Sequence, residues 1–373
     1  MEQKELDLIY LLSCALNCTV PEKSRFSNMD FYSIYNESRR HCVSSAVYCA
    51  IESAGEAEKT LGDLYLKWKE NSAKAMRKIV LLDAERAHIF KFFEERGIWY
   101  MPLKGVILKD YYPKCWMREM SDNDILIDEN YRQEVAQFMK SRGYDCTTGK
   151  GNDDEFLKAP VYNFEIHGAL FNDVEHYDWC KYYENLKDRL IKDENNAYGF
   201  HFTDEDMYIY TSLHEYKHYK KGGIGLKTLA DRYVFLAKKA ETLDWEYINR
   251  QLSKLSIKDY DDVMRDLSDA VFTGKSLSSR CAFSLEYMFR AGAYGSIENL
   301  TKSRLQSSKS KSKYILNRLF PPLDWYKLHQ PFYYKNRYLI PFYVVYRVAR
   351  TVLFRRKRLS EELHTLKKEK VEK

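Results

Sequence analysis

Apolar residues recur at helical spacing through the first 97 positions. Leu6, Ile9, Leu12 and Leu16 share one helical face, and from Ser72 to Arg96 the face is carried by Ile79, Leu82, Ile89 and Phe93, with Gly97 placed as a stop. The period then changes. "IWYMPLKG" reads as a short strand ending at Lys104-Gly105, "VILKDYYP" as a short helix broken by Pro113, and "DNDILI" as a second strand. "NYRQEVAQFMKSRGY" reads as a helix closed by Gly143, residues 147–154 as a polar loop, and "VYNFEIHGALF" as another strand. The alternation of types predicts a small α/β unit over residues 98 to about 172.

From Thr203 onward the pattern is helical again. Thr203 and Asp206 resemble a capping box opening a helix to about Lys220, and Gly222, Gly223 and Gly225 end it. A second helix carries Leu226, Leu229, Ala230 and Tyr233, and further helices follow to about residue 300. "TKSRLQSSKSKSK" reads as a basic, serine-rich linker, and the tail beyond it starts apolar and ends heavily charged. The expected fold class is α+β, a mixed-sheet α/β unit flanked by helical segments. The expected divisions are 1–97, 98–200, 201–300 and 301–373.

Composition narrows the classes. The chain has 373 residues, 45% of them hydrophobic and 15% aromatic, enough for a substantial core. A net charge of +6 is mild for this length and does not by itself argue for nucleic acid. The eight cysteines form no C-x-x-C pair and read as reduced thiols of a cytoplasmic protein. The acidic, amphipathic N-terminus does not read as a signal peptide, and no apolar run has the length of a membrane span.

The chemistry-bearing residues fall on the α/β unit. Residues two apart on a strand share a face. Asp122 and Asp124 are therefore expected to point one way, and Glu165 and His167 to point together away from Phe164 and Ile166. Three carboxylates on adjacent strands suit a pair of hard divalent cations, Mg2+ or Mn2+, for in-line displacement at phosphorus. A glycine turn with Lys104 and Arg118 nearby suits triphosphate oxygens. A single D-x-D also caps strands and helices in many proteins, so the ordered set is the informative feature.

That set resembles the uncharacterised bacterial nucleotidyltransferase family related to the DNA polymerase beta superfamily. The resemblance rests on "MPLKGVILKDYYPKCWMREMSDNDILI", "FEIHGAL" and "SLHEYKHYKKGGIGLKTLAD", within roughly residues 75–240. It implies a minimal nucleotidyltransferase fold in which Asp122, Asp124 and Glu165 ligate metal and act in catalysis. It also implies that Lys104, Gly105 and Arg118 contact nucleotide phosphates. His167, His214, His218, Lys227 and Asp231 would line the nucleotide or acceptor pocket, Asp231 by holding one imidazole; the pair His214 and His218 reads equally as a structural feature that packs or caps. The chain departs from the superfamily with Lys-Gly in place of Gly-Ser after the first strand, and with Asn123 where Ile is common. The implied reaction moves a nucleoside monophosphate from an NTP to an acceptor hydroxyl of a sugar, a protein or an RNA.

Two rival readings remain at this level. One is a non-catalytic nucleotide-binding or interaction protein. The other is a zinc peptidase built on "HEYKH", residues 214–218. The lysines within and after that motif oppose a dication, and Glu241 is the sole distant third-ligand candidate. On the nucleotidyltransferase reading, Glu215 is expected to be an ordinary helix-surface carboxylate. The tail, with Arg347, Arg350, Arg355, Arg356, Lys357 and Arg358 near Phe342, Val345, Val348 and Leu353, reads either as a helix packed on the body or as a contact for an anionic membrane surface or RNA. The second possibility would make the protein peripheral at a membrane.

Overall fold

The change of period near residue 98 marks the edge of a five-stranded mixed sheet. In the computed structural model, which describes residues 1–55, 57–148, 153–171, 176–295, 297–308 and 310–368, the strands are β1 (Tyr100–Pro102), β2 (Asn123–Ile127), β3 (Asp145–Thr148), β4 (Asp153–Lys158) and β5 (Tyr162–His167). Their order is β1-β2-β5-β4-β3. Only β2 and β5 run parallel, with Asp124 opposite Glu165 and Leu126 opposite His167; the other pairs are antiparallel. The fold is α+β, as the period change predicts.

The predicted loop at 147–154 is a correction. Its ends belong to β3 and β4, while residues 149–152 lie outside the described residues. Polar composition hid the strand, because one inward position of β4 is Asp154. That carboxylate is buried and paired with Arg132 at 3.0 Å, beside the fully buried Phe156. The strand predicted over 161–171 is shorter than expected and stops at His167.

The helix predicted from Ser72 begins earlier, at Asp63, and runs to Arg96, where Gly97 takes φ +69°. It joins two cores. Its first half sends Tyr65 and Trp68 into a core shared by N-terminal helices (Leu8, Leu12, Ile34, Val47) and helices beyond residue 225 (Leu226, Leu229, Met264, Leu285). Its second half sends Ile79, Leu82, Ile89 and Phe93 against one face of the sheet. A third core, with Met101, Leu103, Leu126, Met207, Tyr210 and Leu213, seats the helix Asp204–Lys220 against the other face. Thr203 caps that helix by accepting from the Asp206 amide at 3.1 Å.

The predicted serine-rich linker is also a correction. Residues Ile297–Ser308 and Lys311–Leu319 are helices. Leu305 and Tyr314 pack with Leu366 of the last helix, Arg356–Lys368. Three apolar anchors suffice to order a segment whose composition is otherwise that of a loop. No helix among the described residues is long and apolar enough to cross a membrane.

Candidate active site

Alternation along β2 and β5 sorts side chains to the two faces. Ile125, Ile127, Phe164 and Ile166 enter the core under the long helix. Asp124, Glu165 and His167 fall on the opposite face, toward the helix Asp204–Lys220. Their ligand atoms lie within 4.8 Å of one another. Glu165 and His167 thus meet Asp124 as expected. Asp122 sits just before β2, its carboxylate accepting from the Ser121 hydroxyl at 3.0 Å. It lines the same cavity as Asp124 but stands outside the three-residue cluster.

The cluster is charged and largely buried. Lys104 Nζ donates to Asp124 Oδ1 at 2.9 Å, and His167 Nε2 lies 2.9 Å from the same oxygen. Burial alone would raise the Asp124 carboxyl, but the Lys104 ammonium and His167 outweigh it and hold the group well below the usual carboxylate range. Burial disfavours the Lys104 ammonium in turn, and Asp124 overrides that to raise its pKa. Glu165 meets His167 Nε2 at the longer distance of 3.8 Å. Burial, then the Asp124 and Asp122 carboxylates, push it up to about 8. Two carboxylates beside an imidazole are a donor set that could hold one divalent cation. The single imidazole makes it somewhat friendlier to Mn2+ than an all-oxygen site.

Lys104 reaches Asp124 from a backbone at φ +46°, outside the region that side chains prefer. The buried ion pair holds it there. Gly105 follows and lines the same cavity. A Cβ at this position would stand 2.4 Å from Arg118 Nη1, so the glycine makes room for that guanidinium. Arg118 is itself committed: Nε and Nη2 donate to the two oxygens of Asp231 at 2.8 and 2.9 Å. Tyr112 donates to the same carboxylate at 2.7 Å. Asp231 therefore fixes an arginine, not an imidazole. The expectation failed because a partner 113 residues away in sequence leaves no local signal.

The helix Asp204–Lys220 crosses over the carboxylate face. His214 and His218 meet Nε2 to Nε2 at 3.1 Å, one ring donating and the other accepting. Desolvation by the surrounding protein, followed by nearby cations including Lys104 and Lys217, lowers both imidazoles from their usual value, although His218 keeps an exposed edge. Glu215 is not on the surface. It is buried, and its Oε2 takes Arg232 Nη2 at 2.5 Å while Arg232 Nη1 holds Asp261 at 2.6 Å. Because Glu215 is tied up by Arg232, the HEYKH motif has no free glutamate to activate zinc-bound water. The cluster of metal-type donors does not include either histidine of the motif or Glu241.

These elements enclose a cavity of about 390 Å3. Lys104, Gly105, Arg118, Asp122, Asp124, His214, His218, Lys227 and Asp231 all line it. So do Lys221 and Tyr294, which the sequence reading missed. Tyr294 arrives on the turn after the helix Ser279–Ala291, far from every motif, and nothing local in the sequence marks it.

A family model described as an uncharacterised nucleotidyltransferase matches residues 27–267. The chain belongs to this family. The matched span runs from the N-terminal helices through the sheet and the histidine helix, and takes in every charged residue of the cavity named above. No curated protein and no solved structure matches the chain. For a member of a nucleotidyltransferase family, the acidic face of β2 and β5 is the natural place to look for the chemistry, since phosphoryl transfer rests on positioning and charge rather than on a protein nucleophile.

Proposed function

We propose that the cavity binds a nucleoside triphosphate with a divalent cation, Mg2+ or Mn2+, and transfers the nucleoside monophosphate to an acceptor hydroxyl, releasing pyrophosphate. The observation that carries this reading is the meeting of Asp124, Glu165 and His167 on one sheet face, with Asp124 of that cluster lining a cation-lined cavity of a nucleotidyltransferase family member. Asp124 and Glu165, with His167 beside them and Asp122 at the rim, would hold the cation. The bound ion would supply charge stabilisation at the reacting phosphate.

The chain's own residues supply the rest. Lys221 and Lys227 on the cavity wall offset the charge of the β- and γ-phosphates. Among the described residues, Lys104 is the cation in hydrogen-bond contact with the cluster. It must share or yield Asp124 when another cation enters, and is then free to turn to a phosphate oxygen. Arg118, pinned by Asp231, shapes the cavity floor. The neutral His214–His218 pair offers both a donor and an acceptor to the nucleotide or the acceptor molecule. The hydroxyl oxygen attacks the α-phosphorus in line, the bond from that phosphorus to the oxygen bridging to the β-phosphate breaks, and pyrophosphate departs. The hydroxyl proton passes to a carboxylate of the cavity.

The test is incubation with each of the four ribonucleoside triphosphates labelled at the α-phosphate, with Mg2+ or Mn2+, and a lysate as source of acceptor. Label transferred to an acceptor with matching pyrophosphate release supports the reading. Triphosphate binding without any transfer, unchanged by Asp124→Asn, supports the non-catalytic alternative instead.

A further inference from the structure

The helix Ile340–Phe354 has its apolar side outward. Phe342, Val345, Tyr346, Ala349, Val352 and Leu353 stand at i, i+3, i+4, i+7, i+10 and i+11, a single helical stripe, and all six are exposed. Phe342 is 73% and Val345 69% accessible. The inward side is held by other means. Val344 is buried, Tyr343 meets Tyr326 and Tyr333, and Arg347 turns in to donate to the Arg318 carbonyl and, at 2.9 Å, to that of Leu319. The stripe is therefore not a packing face left open by a misplaced helix. The helix is docked through a different side, and an arginine is spent on that docking. This differs from the packed-helix reading of the tail, in which apolar residues cover the body.

Charge identifies the occupant. Between Trp325 and Ser360 the chain holds nine lysines and arginines and no aspartate or glutamate. Arg350, Arg355 and Arg356 are exposed beside or just beyond the stripe. A second copy of the chain would bring the same positive charge to the interface and be repelled. RNA would match the charge, but single-stranded bases need flat stacking partners, and half of the stripe is valine and leucine. An anionic bilayer satisfies both properties: apolar side chains enter the boundary between headgroups and acyl chains, and arginines pair with headgroup phosphates. Spanning is excluded by length, since 15 residues rise about 22 Å against a hydrocarbon core of ~30 Å.

We propose that the helix Ile340–Phe354 lies flat on an anionic membrane surface, with Phe342, Val345, Tyr346, Val352 and Leu353 in the interface and Arg350, Arg355 and Arg356 on lipid phosphates. The site is separate from the catalytic cavity, and the proposal stands whether or not the transferase reading does.

The test uses the full chain and vesicles of phosphatidylcholine alone or mixed with phosphatidylglycerol. The protein should co-sediment with the mixed vesicles, and binding should fall steeply as salt rises. Arg350→Gln, Arg355→Gln and Arg356→Gln combined should weaken partitioning roughly a hundredfold, from about fivefold for each interfacial arginine. Val345→Asp with Leu353→Asp should abolish it; both positions are exposed, and an unchanged circular dichroism spectrum and melting curve will verify the fold. The salt dependence of the unmodified protein needs no variant. Failure to bind the mixed vesicles, equal binding to neutral vesicles, or preferential binding to RNA that survives Val345→Asp with Leu353→Asp overturns the proposal. So does a dimer in sedimentation equilibrium that the aspartate pair disrupts in a protein that ignores vesicles.

Discussion

On one face of the sheet Ile125, Phe164 and Ile166 are sealed under the helix Asp63–Arg96, fully or almost fully buried. On the other face, one residue away along the same two strands, Asp124, Glu165 and His167 converge beneath the histidine helix. The first face is held by burial and depends little on the chemical detail of its members beyond size and shape. The second collects like charges that resist being together, relieved in part by Lys104. The contrast teaches that the sealed face provides the stability against which the acidic face can be strained. Substitutions on the two faces should therefore separate stability from chemistry.

The largest separation is expected from a pair of substitutions. Phe164→Ala opens a cavity in the sealed core and should lower unfolding free energy by about 3–5 kcal/mol, read by denaturant titration, with turnover per folded molecule preserved. Asp124→Asn should instead act on the chemistry. It should lower nucleotidyl transfer per folded molecule by about 10²–10³-fold, and it should also lower the melting temperature, because the buried Lys104 ammonium loses its ion partner. If Asp124→Asn leaves the rate intact, the acidic face is not the site of chemistry and the comparison collapses.

A smaller effect comes from the turn that joins the faces. Gly105→Ala puts a methyl group against Arg118 Nη1. The guanidinium must shift off Asp231, and a cost of about 1–3 kcal/mol follows from overpacking. Denaturation curves of Gly105→Ala with and without Asp231→Asn will show the coupling. Additive losses would mean the glycine does not act through Arg118.

The finest test is pH. Glu165 is raised to about 8 in the folded chain, above its value of about 4.3 when unfolded. The folded state then holds the proton more tightly. Its contribution to stability is fully present below pH ~4.3 and is lost as pH rises through about 8. Metal-free protein should melt progressively lower across that window. Glu165→Gln should flatten the slope, and Mn2+ should also flatten it by favouring the ionised carboxylate. A slope unchanged in Glu165→Gln would place the titration elsewhere, for example at Glu215.

The local pattern along the chain carried much of this. The helix ending at Gly97, the strands at 100–102 and 123–127, the Thr203 cap and the shared face of Glu165 and His167 all follow from short-range sterics and from periods of two and 3.6. Those rules act within a few residues, and so a sequence displays them. What the tertiary structure alone decided depends on partners far apart in the chain. Asp154 could sit inside a strand because Arg132 neutralises it. Glu215 could be buried because Arg232 bridges it to Asp261. Asp231 binds Arg118 and not a histidine, and Tyr294 reaches the cavity from a distant turn. The serine- and lysine-rich segment near residue 305 is helical because Leu305 and Tyr314 find Leu366. Burying a charge or ordering a polar segment is unfavourable until its partner is in place, and only the folded chain brings the partner there.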